Sequence, residues 1–356
     1  MRTNNTKYDM KTLVIVPNPN ILGGVSLHFI GLKNYWSGNI KYFEAFKMGS
    51  NIIDSVLKLI YNYLRFITTI IVHRPDNLVV NISLKKGFFS KNIYIRIAKL
   101  FNTKIITFIH GWNVNDEWML NAPKGKYILK NSKAILVLSS NFKEKLINAG
   151  YRNENIHITT TKVDDKLLST FNIENKKGAM KRFLYLSRIE KGKGIELSLD
   201  IFKLINTKYP DTTYTIAGDG SYLDNIKEYI KENNIQNVEL VGKVSGDDVS
   251  RLYSNSDFFF LLSESEGMPA ALLEAIAFGL PAATTPVGGI PEIFKDGEMG
   301  ILSSTKNPEY FFNRIETLIN SKEETKKISL FNYQYAKEKF YASKVAQELE
   351  KIFENA

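Results

Sequence analysis

Residues 257–275, DFFFLLSESEGMPAALLEA, change character twice within nineteen positions. Residues 257–262 are almost wholly apolar and aromatic, the pattern of a strand buried on both faces. Residues 263–269 are a short polar turn shaped by Gly267 and Pro269. From Ala270 the alanine- and leucine-rich stretch to 278 is a helix that opens just after a proline. A fully buried strand feeding a helix through a tight turn is half of a βαβ unit, which requires a parallel sheet covered by helices.

Working outward, the same alternation recurs on both sides. Strands are expected over 182–185, 214–217, 238–241 and 281–284, with helices over 195–208, 222–233 and 247–254. A first series occupies the other half, with strands over 12–16, 78–81, 104–109 and 134–138 and helices over 26–35, 52–71, 90–101 and 141–149. Residues 163–177 are polar and lack periodicity, and read as a linker. The expected organisation is therefore α/β, with two doubly wound, Rossmann-like domains over 1–165 and 179–335, a linker over 166–178, and a closing amphipathic helix within 336–356 that returns to the first domain. Ligands of such sheets bind beyond the carboxyl ends of the strands, so the chemistry should sit in the loops that follow strands.

Composition removes several alternatives. The 356 residues include no cysteine, which excludes disulfide frameworks, thiolate metal sites and cysteine nucleophiles. The four histidines, His28, His73, His110 and His157, contain no i, i+4 zinc pair. No apolar run approaches the ~20 residues that span a bilayer, and residues 1–11 carry no apolar signal core, so a cytoplasmic chain is expected. Charge is uneven: residues 1–175 hold 24 Lys/Arg against 11 Asp/Glu, and residues 176–356 hold 23 against 26. A basic half invites an anionic partner, either nucleic acid or a lipid surface, although a solvated lysine-rich face has the same composition.

Four loops carry candidate chemistry. After the strand at 182–186, Arg188 and Lys193 offer a planar fork and a point charge to phosphate oxygens, beside the free N–H groups of the next helix. After 214–217, Gly218 and Gly220 flank Asp219 and permit close backbone approach to a ligand, or simply a tight turn. In the opening stretch, Glu266 stands before the helix and Glu274 inside it. Carboxylates there accept hydrogen bonds from sugar or ribose hydroxyls, while the helix start suits phosphate. Residues 286–292 bring Gly288 and Gly289 to the same sheet edge.

In this order, Arg188 with Lys193, Gly218-Asp219-Gly220, Glu266-Gly267-Met268-Pro269 with Glu274, and Gly288-Gly289-Ile290-Pro291-Glu292 resemble the carboxy-terminal domain of family 4 glycosyltransferases, the group 1 retaining enzymes of the GT-B fold. The first half matches more loosely, through Gly23-Gly24 and His110-Gly111. The resemblance implies two Rossmann-like domains facing each other across a cleft, and a nucleotide-sugar donor whose diphosphate is held by Arg188 and Lys193. It implies that Glu274 binds the ribose, that Glu266 orients the sugar with N–H groups around Met268, Pro269 and Ala270, that Gly24 lets backbone approach the phosphate, and that His110 lies by the reacting sugar. No metal or other cofactor is implied. The acceptor would be a glycan or a lipid-linked sugar, made for a bacterial surface polysaccharide such as lipopolysaccharide. The basic stretch 85–104, with Ile93, Ile95, Ile97, Leu100 and Phe101 among its lysines, reads either as a peripheral contact with the inner face of an anionic membrane or as a core helix with snorkelling lysines. A non-catalytic nucleotide-sugar-binding protein and a basic nucleic-acid-binding protein are the competing functions. The intact set of charged residues argues against the first, and nucleic acid is not expected as a partner.

Overall fold

A computed structural model describes residues 10–17, 24–45, 51–83, 91–112 and 117–356. The chain divides into two compact units, one formed by residues up to Lys162 together with Ala342–Ala356, the other by Val163–Tyr341.

The first unit is built on a six-stranded parallel sheet. In chain order its elements are β1 (Lys11–Pro17), α1 (Gly24–Leu32), β2 (Asn39–Ala45), α2 (Ile52–His73), β3 (Asn77–Ser83), α3 (Asn92–Leu100), β4 (Lys104–Gly111), α4 (Trp118–Asn121), α5 (Pro123–Lys130), β5 (Ser132–Val137), α6 (Ser140–Asn148) and β6 (Ile156–Ile158). The strand order β2-β1-β3-β4-β5-β6 reverses direction between β1 and β3, which makes that junction the topological switch point. Leu13, Val14, Leu78, Val79 and Ile106 are fully buried, as expected of central strands covered on both faces. β2 is an edge strand whose residues alternate between exposed and half-buried, apart from the buried Phe43. Its sequence, NIKYFEA, hides the strand because one side chain in two meets water.

The second unit repeats the plan with β7 (Arg182–Leu186), α7 (Ile195–Lys208), β8 (Thr213–Ala217), α8 (Leu223–Glu232), β9 (Val238–Gly242), α9 (Asp247–Asn255), β10 (Phe258–Leu261), α10 (Ala270–Ala277), β11 (Ala282–Thr284), α11 (Ile290–Ile293), β12 (Gly300–Leu302), α12 (Pro308–Ile319) and α13 (Lys322–Lys339). Its order, β12-β11-β10-β7-β8-β9, runs away from β7 in both directions and places the switch point between β7 and β10. Phe258, Phe259 and Phe260 are all fully buried, so the run at 257–262 is the centre of this sheet.

Two expected boundaries are corrected. Residues 166–178 are not a linker but part of the second unit, because they satisfy the open end of α9. The buried Lys176 ammonium donates to the carbonyls of Tyr253 (3.2 Å), Ser254 (3.0 Å) and Ser256 (2.5 Å), where helix carbonyls lack intrahelical partners. Nearby, Ser250 Oγ donates to the carbonyl of Leu167 at 2.8 Å. The second unit also extends to Tyr341 rather than 335. α13 continues through residue 339, and Asn332 on it donates to the carbonyls of Leu280 (2.9 Å) and Met299 (3.1 Å). Past it, Val163 N–H donates to Phe340 at 2.7 Å, which ties the two ends of the unit together.

α14 (Ala342–Asn355) belongs to the first unit. Its Glu350 carboxylate accepts from the N–H groups of Ser37 and Gly38, both at 2.7 Å, and from Ser37 Oγ at 2.6 Å. Its Phe353 carbonyl accepts from the buried Asn77 side chain at 2.9 Å.

Candidate active site

At the switch point of the second unit, the loop after β7 and the loop after β10 meet side by side. Lys193, just ahead of α7, places Nζ 2.7 Å from Glu266 Oε1, with side chains only 15% and 12% exposed. Ser263 Oγ donates to the same carboxylate oxygen at 2.7 Å. An ion pair this sheltered persists because both partners are hydrogen-bonded in place and neither charge is left bare. Arg188 is exposed, and its guanidinium has no hydrogen-bond or ion-pair partner among the described residues. Its carbonyl is fixed by the Tyr185 hydroxyl at 2.9 Å. Burial raises the pKa of that phenol; the Glu266 carboxylate raises it further and Arg188 opposes it, so both charges act on one small volume.

Glycines hold these loops together. A Cβ on Gly220 would lie 2.1 Å from the Ile189 carbonyl oxygen, and one on Gly218 would lie 1.9 Å from that of Ser187. Ile189 N–H donates to Asp219 O at 3.0 Å and Tyr222 N–H to Ile189 O at 3.1 Å across the same seam. Gly218 and Gly220 thus bring the β8 loop against the loop that carries Arg188, a structural duty that the sequence reading left beside ligand contact. Gly288 (φ +58°) does the same on the other flank, since its Cβ would sit 1.9 Å from the Glu266 carbonyl. There Gly267 O accepts from Gly289 N–H at 2.6 Å. Met268 and Pro269 are buried, and Ala270 is exposed as the first residue of α10. Pro269 forms the N-cap without a side-chain acceptor, so the first N–H groups of the helix have no intrahelical partner.

Glu274 sits four residues into α10, about 6 Å along its axis from Ala270. The buried Tyr253 hydroxyl, from α9, is 3.0 Å from Ala271 O and 3.1 Å from Glu274 Oε2. Burial, and then the nearby carboxylate, raise the Tyr253 pKa well above its ordinary value, so the phenol stays a donor. The structure therefore brings Lys193 and Glu266 into contact and Arg188 beside them, and fixes Glu274 independently through α9.

His110 lies near the end of β4 in the first unit. Its Nε2 is 2.7 Å from Asn81 Oδ1, while Asn81 Nδ2 donates to Ile15 O at 2.8 Å. With the Asn81 amide oriented by β1, Nε2 carries the proton and Nδ1 keeps a lone pair. Burial, and then neighbouring His28, push the His110 pKa well below its ordinary value, so the ring is neutral. Asn81 was not singled out from sequence, although an amide inside the apolar run LVVNI is the kind of signal that marks it. Gly24 opens α1, and Gly23 lies outside the described residues. Among the described residues, no group of three or more His, Asp or Glu side chains is placed to hold a metal.

Known proteins resemble this chain in sequence and in fold. Residues 169–335 match the family described as glycosyl transferases group 1. An uncharacterized glycosyltransferase of Methanocaldococcus jannaschii is 28% identical over 322 residues, covering 87% of this chain and 79% of that protein. The amylovoran biosynthesis glycosyltransferase AmsK of Erwinia amylovora is 26% identical over 220 residues, 59% of this chain and 53% of that one. The crystal structure of Anabaena HepE in complex with UDP and glucose superimposes with a TM-score of 0.75 at 17% identity, covering 98% of this chain and all of that one. The likeness extends the two-unit GT-B architecture over nearly the whole chain.

Proposed function

We propose that this chain, whose residues 169–335 match the glycosyl transferases group 1 family, moves a hexose from a nucleotide-sugar donor to a glycan or lipid-linked acceptor, with retention of anomeric configuration and without a metal. The Lys193–Glu266 pair at the β7/β10 switch point carries this reading. Cleaving a glycosyl–phosphate bond builds negative charge on the diphosphate and positive charge on the ring. Fixed cations where that charge develops favour the transition state over the ground state. Arg188 serves as the open phosphate fork. Lys193, held against Glu266, is already oriented and shares its remaining N–H donors with the phosphate. Glu266 in turn accepts from the sugar hydroxyls, and Glu274 accepts from the ribose. His110 offers a neutral ring nitrogen to a hydroxyl of the transferred sugar.

Retention follows from attack on the face that the leaving diphosphate vacates, the phosphate oxygen taking the acceptor's proton; no carboxylate is nominated as a covalent nucleophile. The UDP bound by the Anabaena protein supports a nucleotide-sugar donor. The amylovoran biosynthesis relative supports a role in bacterial polysaccharide biosynthesis.

The test is a thermal-shift and calorimetric screen of the intact chain against UDP, GDP, ADP and their sugars. A ligand at a hundred times its Kd adds about 2.7 kcal/mol, or roughly 5–10 °C for a unit of this size. If no nucleotide or nucleotide sugar shifts the transition, the proposal fails.

A further inference from the structure

The longest helix among the described residues of the first unit, α2, has two apolar faces and uses only one of them. Phe66 and Ile70 turn inward and are fully buried, and Phe66 packs edge-on against Phe43 (5.2 Å) and Tyr94 of α3 (4.9 Å). On the opposite side, Ile53 (75% exposed), Leu57 (62%), Ile60, Leu64 (59%) and Ile71 recur at helical spacing. Thr68 falls among them, and its hydroxyl is turned back onto the Leu64 and Arg65 carbonyls, at 3.1 and 2.9 Å. The stripe follows a helix of 22 residues, about 33 Å long. An apolar band of this length facing water marks an interaction surface.

Charge distinguishes its two natural occupants. The first unit holds 25 Lys/Arg against 11 Asp/Glu, a net charge of +14. Within α2 the one acid, Asp54, is already paired with Lys58 at 2.8 Å, and Arg65 lies on the same flank. A second copy on this face would bring two strongly cationic surfaces together, whereas an anionic bilayer is attracted. Neighbouring α3 leaves Ile93 and Leu100 exposed alongside Arg96 and Lys99. The basic stretch expected from sequence is thus only partly a surface, since Ile95 is fully buried and residues 84–90 lie outside the described residues.

We infer that α2 is the membrane-docking element of this protein, lying in the plane of an anionic bilayer with the Ile53–Ile71 stripe in the headgroup–acyl boundary. It lies on the membrane rather than across it, because its Phe66 and Ile70 side is committed to the protein core. The inference rests on this face alone and stands whether or not the acceptor is a lipid.

The experiment is co-sedimentation of the full chain with phosphatidylcholine vesicles, with and without phosphatidylglycerol, at low and high salt. Binding is expected only with phosphatidylglycerol, weakening several-fold as salt rises. The Leu57→Ser/Leu64→Ser variant should bind at least about tenfold more weakly, and Ile158→Ser, a control on β6, should bind normally. Circular dichroism and nucleotide binding of the variants should match the parent, which separates failure here from failure of the glycosyl-transfer reading. Because the chain contains no cysteine, Leu64→Cys can carry a single polarity-sensitive dye, whose emission should shift to the blue on anionic vesicles. Equal binding to neutral vesicles, retained binding by the double variant, an unmoved dye, or a self-associated species that the double variant dissociates while vesicles bind nothing would each overturn the assignment.

Discussion

Replacing Gly220 with alanine isolates what the glycine seam contributes, and Gly242→Ala supplies its control. Gly242 has φ +71° and open space within 4 Å of where a Cβ would lie, so alanine there meets only the left-handed backbone penalty. That penalty is about 1–2 kcal/mol, partly offset by about 0.4–1 kcal/mol of lower unfolded-state entropy; the net loss should be about 1 kcal/mol. Gly220 is the converse: its backbone is not in the left-handed region, but its Cβ would lie 2.1 Å from the Ile189 carbonyl. Relief requires the two loops to part. That brings an overpacking cost of about 1–3 kcal/mol and weakens the two seam hydrogen bonds at Ile189, each worth about 0.5–1.5 kcal/mol. The expected loss is about 3–5 kcal/mol, read by urea unfolding of the second unit, or a Tm fall of roughly 10 °C. Nucleotide affinity should fall with it, since the displaced loop carries Arg188 and Lys193. If Gly220→Ala costs no more than Gly242→Ala, the close approach does not hold the site together.

Lys193→Met should lower kcat by about 10²–10³ and stability by about 2–4 kcal/mol, since Glu266 is left sheltered with only Ser263 as donor; adding Glu266→Gln should recover part of the stability and none of the turnover. Glu274→Gln should weaken nucleotide binding about tenfold in calorimetry, a loss near the upper range for one hydrogen bond, while kcat at saturating donor is largely kept. Lys176→Met should uncap α9 and cost the second unit about 1–3 kcal/mol, with a smaller loss of nucleotide affinity transmitted through Tyr253 to Glu274; unchanged affinity would break that link. His28 is fully buried, with neither ring nitrogen hydrogen-bonded among the described residues, and burial and then Lys162 lower its pKa to about 3. The unfolded chain therefore binds the extra proton below pH 6.5, and stability contributed by the neutral ring drains away from pH 6.5 toward about 3. At pH 5 this amounts to about 2 kcal/mol, and His28→Phe should flatten that part of the acid limb in pH-dependent unfolding.

The parallel architecture was legible because strands buried on both faces leave unbroken apolar runs, as at 12–16 and 257–262, and because helices begin where glycine and proline punctuate them. β2 escaped because an edge strand shares its side chains with water, and α12 and α13 because their polar sequences follow the last recognised strand without a motif. The charged site residues stood out as loops at strand ends. Their partners did not: Tyr253 and Asn81 act through contacts between residues distant in the chain, which no spacing announces, and Ser263, three residues before Glu266, is one polar residue among several in its turn. Lys176 shows the same blindness in reverse, since a lysine in a polar stretch looks solvated until three carbonyls are found around it.

The first unit is assembled from two separated pieces of chain, and the order of synthesis gives this a consequence. Until residues 342–356 are in place, the Ser37–Gly38 turn lacks its carboxylate and Asn77 lacks its carbonyl, whereas every residue of the unit from Val163 to Tyr341 precedes them in the chain. The later unit is thus continuous in the chain, whereas the earlier one closes only by a return of the chain across the whole of the other.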